Sequence, residues 1–313
     1  MTAPGSLLAT RSLDHGTIRS ILDRAETLLR VVDGDEDLDP GRGSVVGLLF
    51  LEDSTRTRCS FEIAAHRLGH RVVTLAGRGS SASKGEGLVD TASNLAAMGL
   101  DALVVRTSRS GGVQRVAREV AVPVINAGDG RHEHPTQALL DASTLEAALG
   151  DLEGRRIGIV GDIANSRVAR SNIHLLDALG ARIVLVGPPS LVSWRMADLL
   201  PGRSGSIEVA HDLDAVLGGL DAVMMLRIQR ERDAGASVAS DYRRAFGMTT
   251  ERAATLDPGV PILHPGPVNR GIELDDGVLD DPARSRVLDQ VRRGVAVRMA
   301  VIERACSTRV EPS

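Results

Sequence analysis

Lysine and aromatic rings are almost missing from this sequence. Of its 37 basic residues only Lys84 is a lysine, and its 313 residues include one Trp, one Tyr and three Phe. Any core must therefore be built from Leu, Val, Ile and Ala. Two cysteines, Cys59 and Cys306, cannot make a disulfide framework, and two thiols are too few for a cysteine-built structural zinc site. No basic excess exists either: the formal net charge of -4 argues against a nucleic-acid or polyanion binder. The longest obvious apolar run, Val45–Leu51, falls short of the ~18–20 residues that span a bilayer, so no membrane association is expected. The opening residues lack the basic flank and long apolar core of a signal peptide. A soluble, cytoplasmic protein is expected.

What the sequence does have is alternation. Val45–Leu51, Arg71–Leu75, Asp101–Arg106 and Val122–Ala127 read as buried strands, with helical spacing between them over Thr55–Leu68, Glu86–Met98 and Gly112–Val120. After a helix at Pro135–Leu149 the pattern restarts, with strands at Arg156–Val160, Arg182–Val186, Ile207–Ala210, Ala222–Leu226 and Ile262–Leu263. Helices at Thr17–Val32 and Arg284–Cys306 flank the whole. This is an α/β pattern: two successive domains, each a parallel sheet with helices on both faces. The expected boundaries are residues 1–134 and 135–283, with a final helix over 284–305 packing back on the first domain.

In open parallel sheets ligands bind beyond the carboxyl ends of the strands, so the chemistry is sought there. After the first strand, Ser54, Thr55, Arg56 and Thr57 stand at a helix start. Free backbone amides, hydroxyls and a guanidinium favour a phosphate; a plain capped helix would need one hydroxyl and would not want cations in its first turn. The Gly/Ser-rich loop after the second strand carries Ser80, Ser81 and Lys84, and such a loop can close over a ligand or simply be surface. Lys84 is either a chance survivor or marks a place where a compact ammonium fits and a broad guanidinium does not. Arg106 ends the third strand. Pro135 suits a first helical turn, which puts His134 at the N-cap and Gln137 three residues on, an imidazole and an amide on one face. His132 and His134 have no third ligand at suitable spacing, so a metal is not expected. In the second half Arg167 and Arg170 stand at a helix start where the glycines do not fit a dinucleotide fingerprint; Arg227, Gln229 and Arg230 follow a strand, and a stiff Pro-Gly-Pro loop follows the last one.

Together STRTR with SFE, SKGE with DT, HPTQALLD, GDI-x-x-SRVARSN, MLR-x-Q-x-ER and HPGP-x-NRG resemble the aspartate carbamoyltransferase catalytic chain, in order along nearly the entire sequence. Cys59, where an aliphatic residue is common, and Thr107, where histidine is usual, depart from the pattern. The resemblance implies transfer of the carbamoyl group of carbamoyl phosphate to the amine of L-aspartate, an early step of pyrimidine synthesis, without cofactor or metal. It implies that domain 1–134 binds carbamoyl phosphate and domain 135–283 binds aspartate. Ser54, Thr55, Arg56, Thr57 and Arg106 would hold the phosphate, His134 the carbamoyl oxygen and Gln137 the carbamoyl nitrogen. Gly266 and Pro267 would add backbone contacts, and Arg167, Arg227 and Gln229 would bind aspartate. Ser80 and Lys84 would enter from the neighbouring subunit of a homotrimer, Lys84 squeezed between phosphate and carboxylate. Assembly with regulatory chains or dihydroorotase stays open. The alternative function is a catalytically silent paralogue that binds carbamoyl phosphate and regulates a partner.

Overall fold

The computed structural model describes residues 2–38, 43–76, 87–199, 207–228 and 237–307. The chain divides into two compact units, Met1–Leu140 with Val291–Ser313, and Asp141–Gln290. Among the described residues no helix is long and apolar enough to cross a membrane.

The first unit holds α1 (His15–Asp33), β1 (Val45–Phe50), α2 (Thr55–Arg67), β2 (Arg71–Ala76), α3 (Leu88–Ala97), β3 (Ala102–Thr107), α4 (Gly112–Glu119) and β4 (Val124–Asp129), and the chain leaves it within α5 (Pro135–Leu149). Its four strands are parallel in the order β2-β1-β3-β4. The order reverses after β2, so right-handed crossovers place α2 on one face and α3 and α4 on the other. The α3/α4 face buries Leu49, Leu88, Leu95, Leu103, Val113, Val116 and Val124. Every residue of β1 after Val45 is buried, which is why the strand reads as an unbroken apolar run. Gly47 makes room for the tip of the Leu100 side chain, which an added Cβ would force to shift.

Two helix starts and the burial of one strand differ from the sequence reading. Helix α1 starts at His15, because the Asp14 carboxylate accepts from the Thr17 amide and caps it. Arg71–Leu75, expected as a buried strand, lies in β2 with residues 71, 73 and 74 exposed, because β2 is an edge strand paired only with β1. The last helix, α11 (Val287–Ser307), begins at Val287 rather than at 284. Residues 284–286 are used otherwise: the Ile262 amide donates to the Arg284 carbonyl and the Arg286 amide to the Ile262 carbonyl.

The N-terminal segment is strapped along β4. The Leu7 amide donates to the Val124 carbonyl at 2.9 Å, and the Asn126 amide to the Leu7 carbonyl at 2.8 Å. Thr10 then gives both its amide and its hydroxyl to Oε2 of the fully buried Glu133, at 2.8 and 2.7 Å. Helix α11 lies along α1, where Arg24 makes a bidentate pair with Glu303 and Arg292 pairs with Asp33. Removing one donor to a buried carboxylate costs about 2 kcal/mol, so Thr10→Val is expected to lower the urea midpoint measurably. An unchanged midpoint would show the hydroxyl to be dispensable.

The second unit continues with β5 (Arg156–Val160), α6 (Arg167–Ala178), β6 (Arg182–Val186), β7 (Ile207–Ala210), α7 (Asp214–Leu217), β8 (Ala222–Met225), α8 (Ser237–Phe246), α9 (Thr250–Thr255), β9 (Ile262–Leu263) and α10 (Asp276–Leu279). Five parallel strands take the order β7-β6-β5-β8-β9. Again the order reverses beside the first strand, so the β5 and β8 ends flank a switch point. The two ends of this unit are tied together, since Asp141 Oδ1 accepts from Gln290 Nε2 at 2.7 Å while Asp141 Oδ2 accepts from Asn172 Nδ2.

Candidate active site

In the first unit three predicted segments leave the carboxyl edge of one sheet, after the neighbouring strands β1, β3 and β4. Ser54 occupies the N-cap of α2 with extended backbone, yet its side chain makes no capping hydrogen bond, and the first turn holds no acid. The hydroxyl is thus not consumed by capping. Thr55 and Arg56 are exposed and Thr57 is buried. A helix start with unsatisfied amides, free of acids and bearing cations, attracts an anion.

Arg106 is the penultimate residue of β3, opposite Phe50, and is almost completely buried. Its guanidinium donates to Glu52 Oε1 at 2.9 Å and to the Ala127 carbonyl at 3.0 Å. Glu52 lies in the β1–α2 loop, so the cation is held toward the helix start that carries Ser54–Thr57. At the end of β4, the Asp129 carboxylate gathers the amides of Gly111 and Glu133, the side chain of Asn126 and His132 Nδ1. His132 is therefore a loop anchor. His134 sits immediately before α5, its carbonyl accepting from the Gln137 and Ala138 amides. Imidazole and amide thus stand one turn apart, both largely buried. Among the described residues no group of three or more His, Cys, Asp or Glu is placed to hold a metal ion.

In the second unit, Gly161 follows β5 with φ 131°, a backbone state side chains avoid, and a Cβ there would press on Leu226 and on the Tyr242 hydroxyl. The chain then turns through Asp162, whose carboxylate accepts from the Asn165 amide and side chain, into α6. Ser166 caps α6 by accepting from the Ala169 amide. Arg167 is the first helical residue and half-buried; Arg170 is exposed. Arg227 is half-buried directly beyond β8. Gly266 and Pro267 follow β9, joined by a cis peptide, and the Gly266 amide donates to His264 Nδ1 at 2.8 Å. Ser80, Ser81, Lys84, Gln229 and Arg230 lie outside the described residues.

Residues 6–147 match the aspartate/ornithine carbamoyltransferase carbamoyl-P binding domain, and residues 153–304 match the Asp/Orn binding domain of the same family. The chain belongs to the aspartate/ornithine carbamoyltransferase family. Among the relatives of this carbamoyltransferase, the aspartate carbamoyltransferase catalytic subunit of Granulibacter bethesdensis is 50% identical over 300 residues, covering 95% of this chain and 93% of that protein. That of Salinispora arenicola is 48% identical, covering 95% and 96%. The aspartate transcarbamoylase of Trypanosoma cruzi, solved in complex with carbamoyl phosphate and aspartate, superposes with a TM-score of 0.86 at 30% identity, covering 96% of each chain.

Two acids of this carbamoyltransferase escape sequence reasoning. Glu52 was visible as an acid just before the anion motif, without a sign that it fixes Arg106. Glu273, fully buried, stands between Ile272 and Leu274; a carboxylate flanked by apolar residues was the available signal.

Proposed function

We propose that this chain is an aspartate carbamoyltransferase. It transfers the carbamoyl group of carbamoyl phosphate to the amine of L-aspartate, giving N-carbamoyl-L-aspartate and phosphate. The observation that carries the reading is the likeness, over nearly the full length, to chains named aspartate carbamoyltransferase, combined with two half-buried arginines beyond β5 and β8. Guanidiniums match the carboxylates of aspartate and repel an ornithine ammonium. In this reading the product feeds pyrimidine synthesis in the cytoplasm. Domain 1–134 serves carbamoyl phosphate and domain 135–283 aspartate.

The chemistry follows from charge and position. Ser54, Thr55, Arg56, Thr57 and Arg106 hold the phosphoryl oxygens. Gln137 orients the carbamoyl nitrogen, and Gly266 and Pro267 offer backbone contacts. Arg167, Arg227 and Gln229 hold aspartate so that its neutral amine meets the carbonyl carbon. As the new N–C bond forms, the carbonyl oxygen gains charge, which Thr55, Arg106 and His134 stabilise. The C–O bond to phosphate then breaks, the amine loses a proton, and the departing phosphate is a competent acceptor for it. Ser80 and Lys84 come from the neighbouring subunit of a homotrimer.

Turnover assays with each acceptor test the reading. The wild type should carbamoylate aspartate and leave ornithine essentially untouched. Arg227→Ala should raise the KM for aspartate by on the order of a hundredfold, the loss of one charge-assisted contact, while the KM for carbamoyl phosphate changes far less. Equal use of ornithine and aspartate would refute the assignment.

A further inference from the structure

The Glu273 carboxylate lies at the meeting of two segments that the proposed function uses for different substrates. One follows β8 and carries Arg227; the other follows β9 and carries Gly266 and Pro267. Oε1 accepts from the Ile228 amide at 2.9 Å and from Asn269 Nδ2 at 2.6 Å. Oε2 accepts from the Asn269 amide at 2.7 Å and stands 3.8 Å from His264 Nε2. The backbone of Glu273 joins in, its carbonyl accepting from the Met248 amide at 2.8 Å.

Such a carboxylate is costly to bury unless its lone pairs are filled, and here they are filled by donors from both segments. Burial works to raise the Glu273 carboxyl, but His264, the Ile228 amide and Asn269 outweigh it and hold the pKa below its ordinary value. The anion is therefore the form the surrounding donors select. His264 extends the arrangement. Its Nδ1 accepts from the Gly266 amide, which leaves the proton of the neutral ring on Nε2, toward Glu273. One carboxylate thus fixes the backbone immediately after Arg227 and, through Asn269, the chain that leaves the Gly266–Pro267 turn, with His264 Nε2 facing it at 3.8 Å.

We propose that Glu273 is a positioning residue for the acceptor half of the reaction, locking the Arg227–Ile228 segment to the His264–Asn269 loop. This rests on the aspartate carbamoyltransferase reading. The carboxylate touches no substrate; it sets the register in which the Arg227 guanidinium and the Gly266–Pro267 backbone are presented. Glutamine at 273 has nearly the same shape but turns one acceptor into a donor. Set in place of Oε2, its NH2 group would face the Asn269 amide and the His264 ring, donor against donor; set in place of Oε1, it would face the Ile228 amide.

Glu273→Gln is expected to raise the KM for aspartate and lower kcat, each on the order of tenfold or more, since a small misplacement of a binding group has effects of that size. Binding of inorganic phosphate, measured by calorimetry, should stay within about twofold, because the phosphate site is built in the first unit. A role confined to folding would not produce this split. Coupling to Arg227 gives the second readout: if Glu273 acts through that segment, Glu273→Gln added to Arg227→Ala should raise the aspartate KM little further. Asn269→Ala, which removes one donor and keeps the carboxylate, should shift KM in the same direction by roughly threefold. It provides the measurement if the Gln variant does not fold. Unchanged aspartate KM in the folded variants, or full additivity with Arg227→Ala, would overturn the proposal while the wild type remained active. A wild type inactive with aspartate would overturn the functional reading and the proposal with it.

Discussion

Arg56→Ala is expected to reduce turnover by on the order of a hundredfold or more at saturating substrates, with secondary structure and thermal midpoint unchanged. Arg56 is exposed in the first turn of α2, so no core contact is lost. A cation there works against the helix dipole and weakens the isolated helix. Its presence makes sense when a phosphate carries charge into the same turn. Charge on that phosphate grows as its bond to the carbamoyl carbon breaks, so the contact strengthens toward the transition state and its loss appears in kcat. Near-normal turnover at saturation would remove Arg56 from the site.

The second large effect concerns Lys84 and the proposed trimer. Lys84→Gln and Arg56→Ala chains should each be nearly inactive alone. When the two are dissociated, mixed and reassembled, every mixed ring contains one interface at which an intact Arg56 meets an intact Lys84. Random 1:1 reassembly makes about three-quarters of the rings mixed, so roughly a quarter of wild-type activity should return. Lys84→Arg should fail like Lys84→Gln, because the charge persists but the planar fork is broader than an ammonium. Mixtures no more active than their parents, despite confirmed subunit exchange, would place Lys84 in its own subunit's site or outside any site.

The strands and the segments that follow them were legible because buried parallel strands leave a continuous apolar signal, broken where the chain turns toward the ligand edge. Pro135 and the polar run before it located α5, and the structure puts the His134 carbonyl at its cap. The exposure of β2 was not legible. Its sequence is as apolar as an interior strand's, and only the pairing order makes it an edge. The partners of the site residues were hidden for a related reason. Glu52 meets Arg106 across 54 positions and Glu273 meets Ile228 across 45, distances over which no periodicity speaks. Sequence names the groups that touch a ligand through their chemistry; the groups that hold them still emerge only once strands are paired.

The hydrogen bond between Asp141 and Gln290 joins the first and last residues of the second unit. That unit is thus an insertion with its ends closed, whereas the first is completed only by α11, which supplies the buried Val295, Val297, Met299, Val301 and Ile302. On the ribosome, where domains fold as they emerge, the chain's order of synthesis and its order of completion therefore differ. The first unit is begun first and finished last, after the unit inserted into it has all its strands.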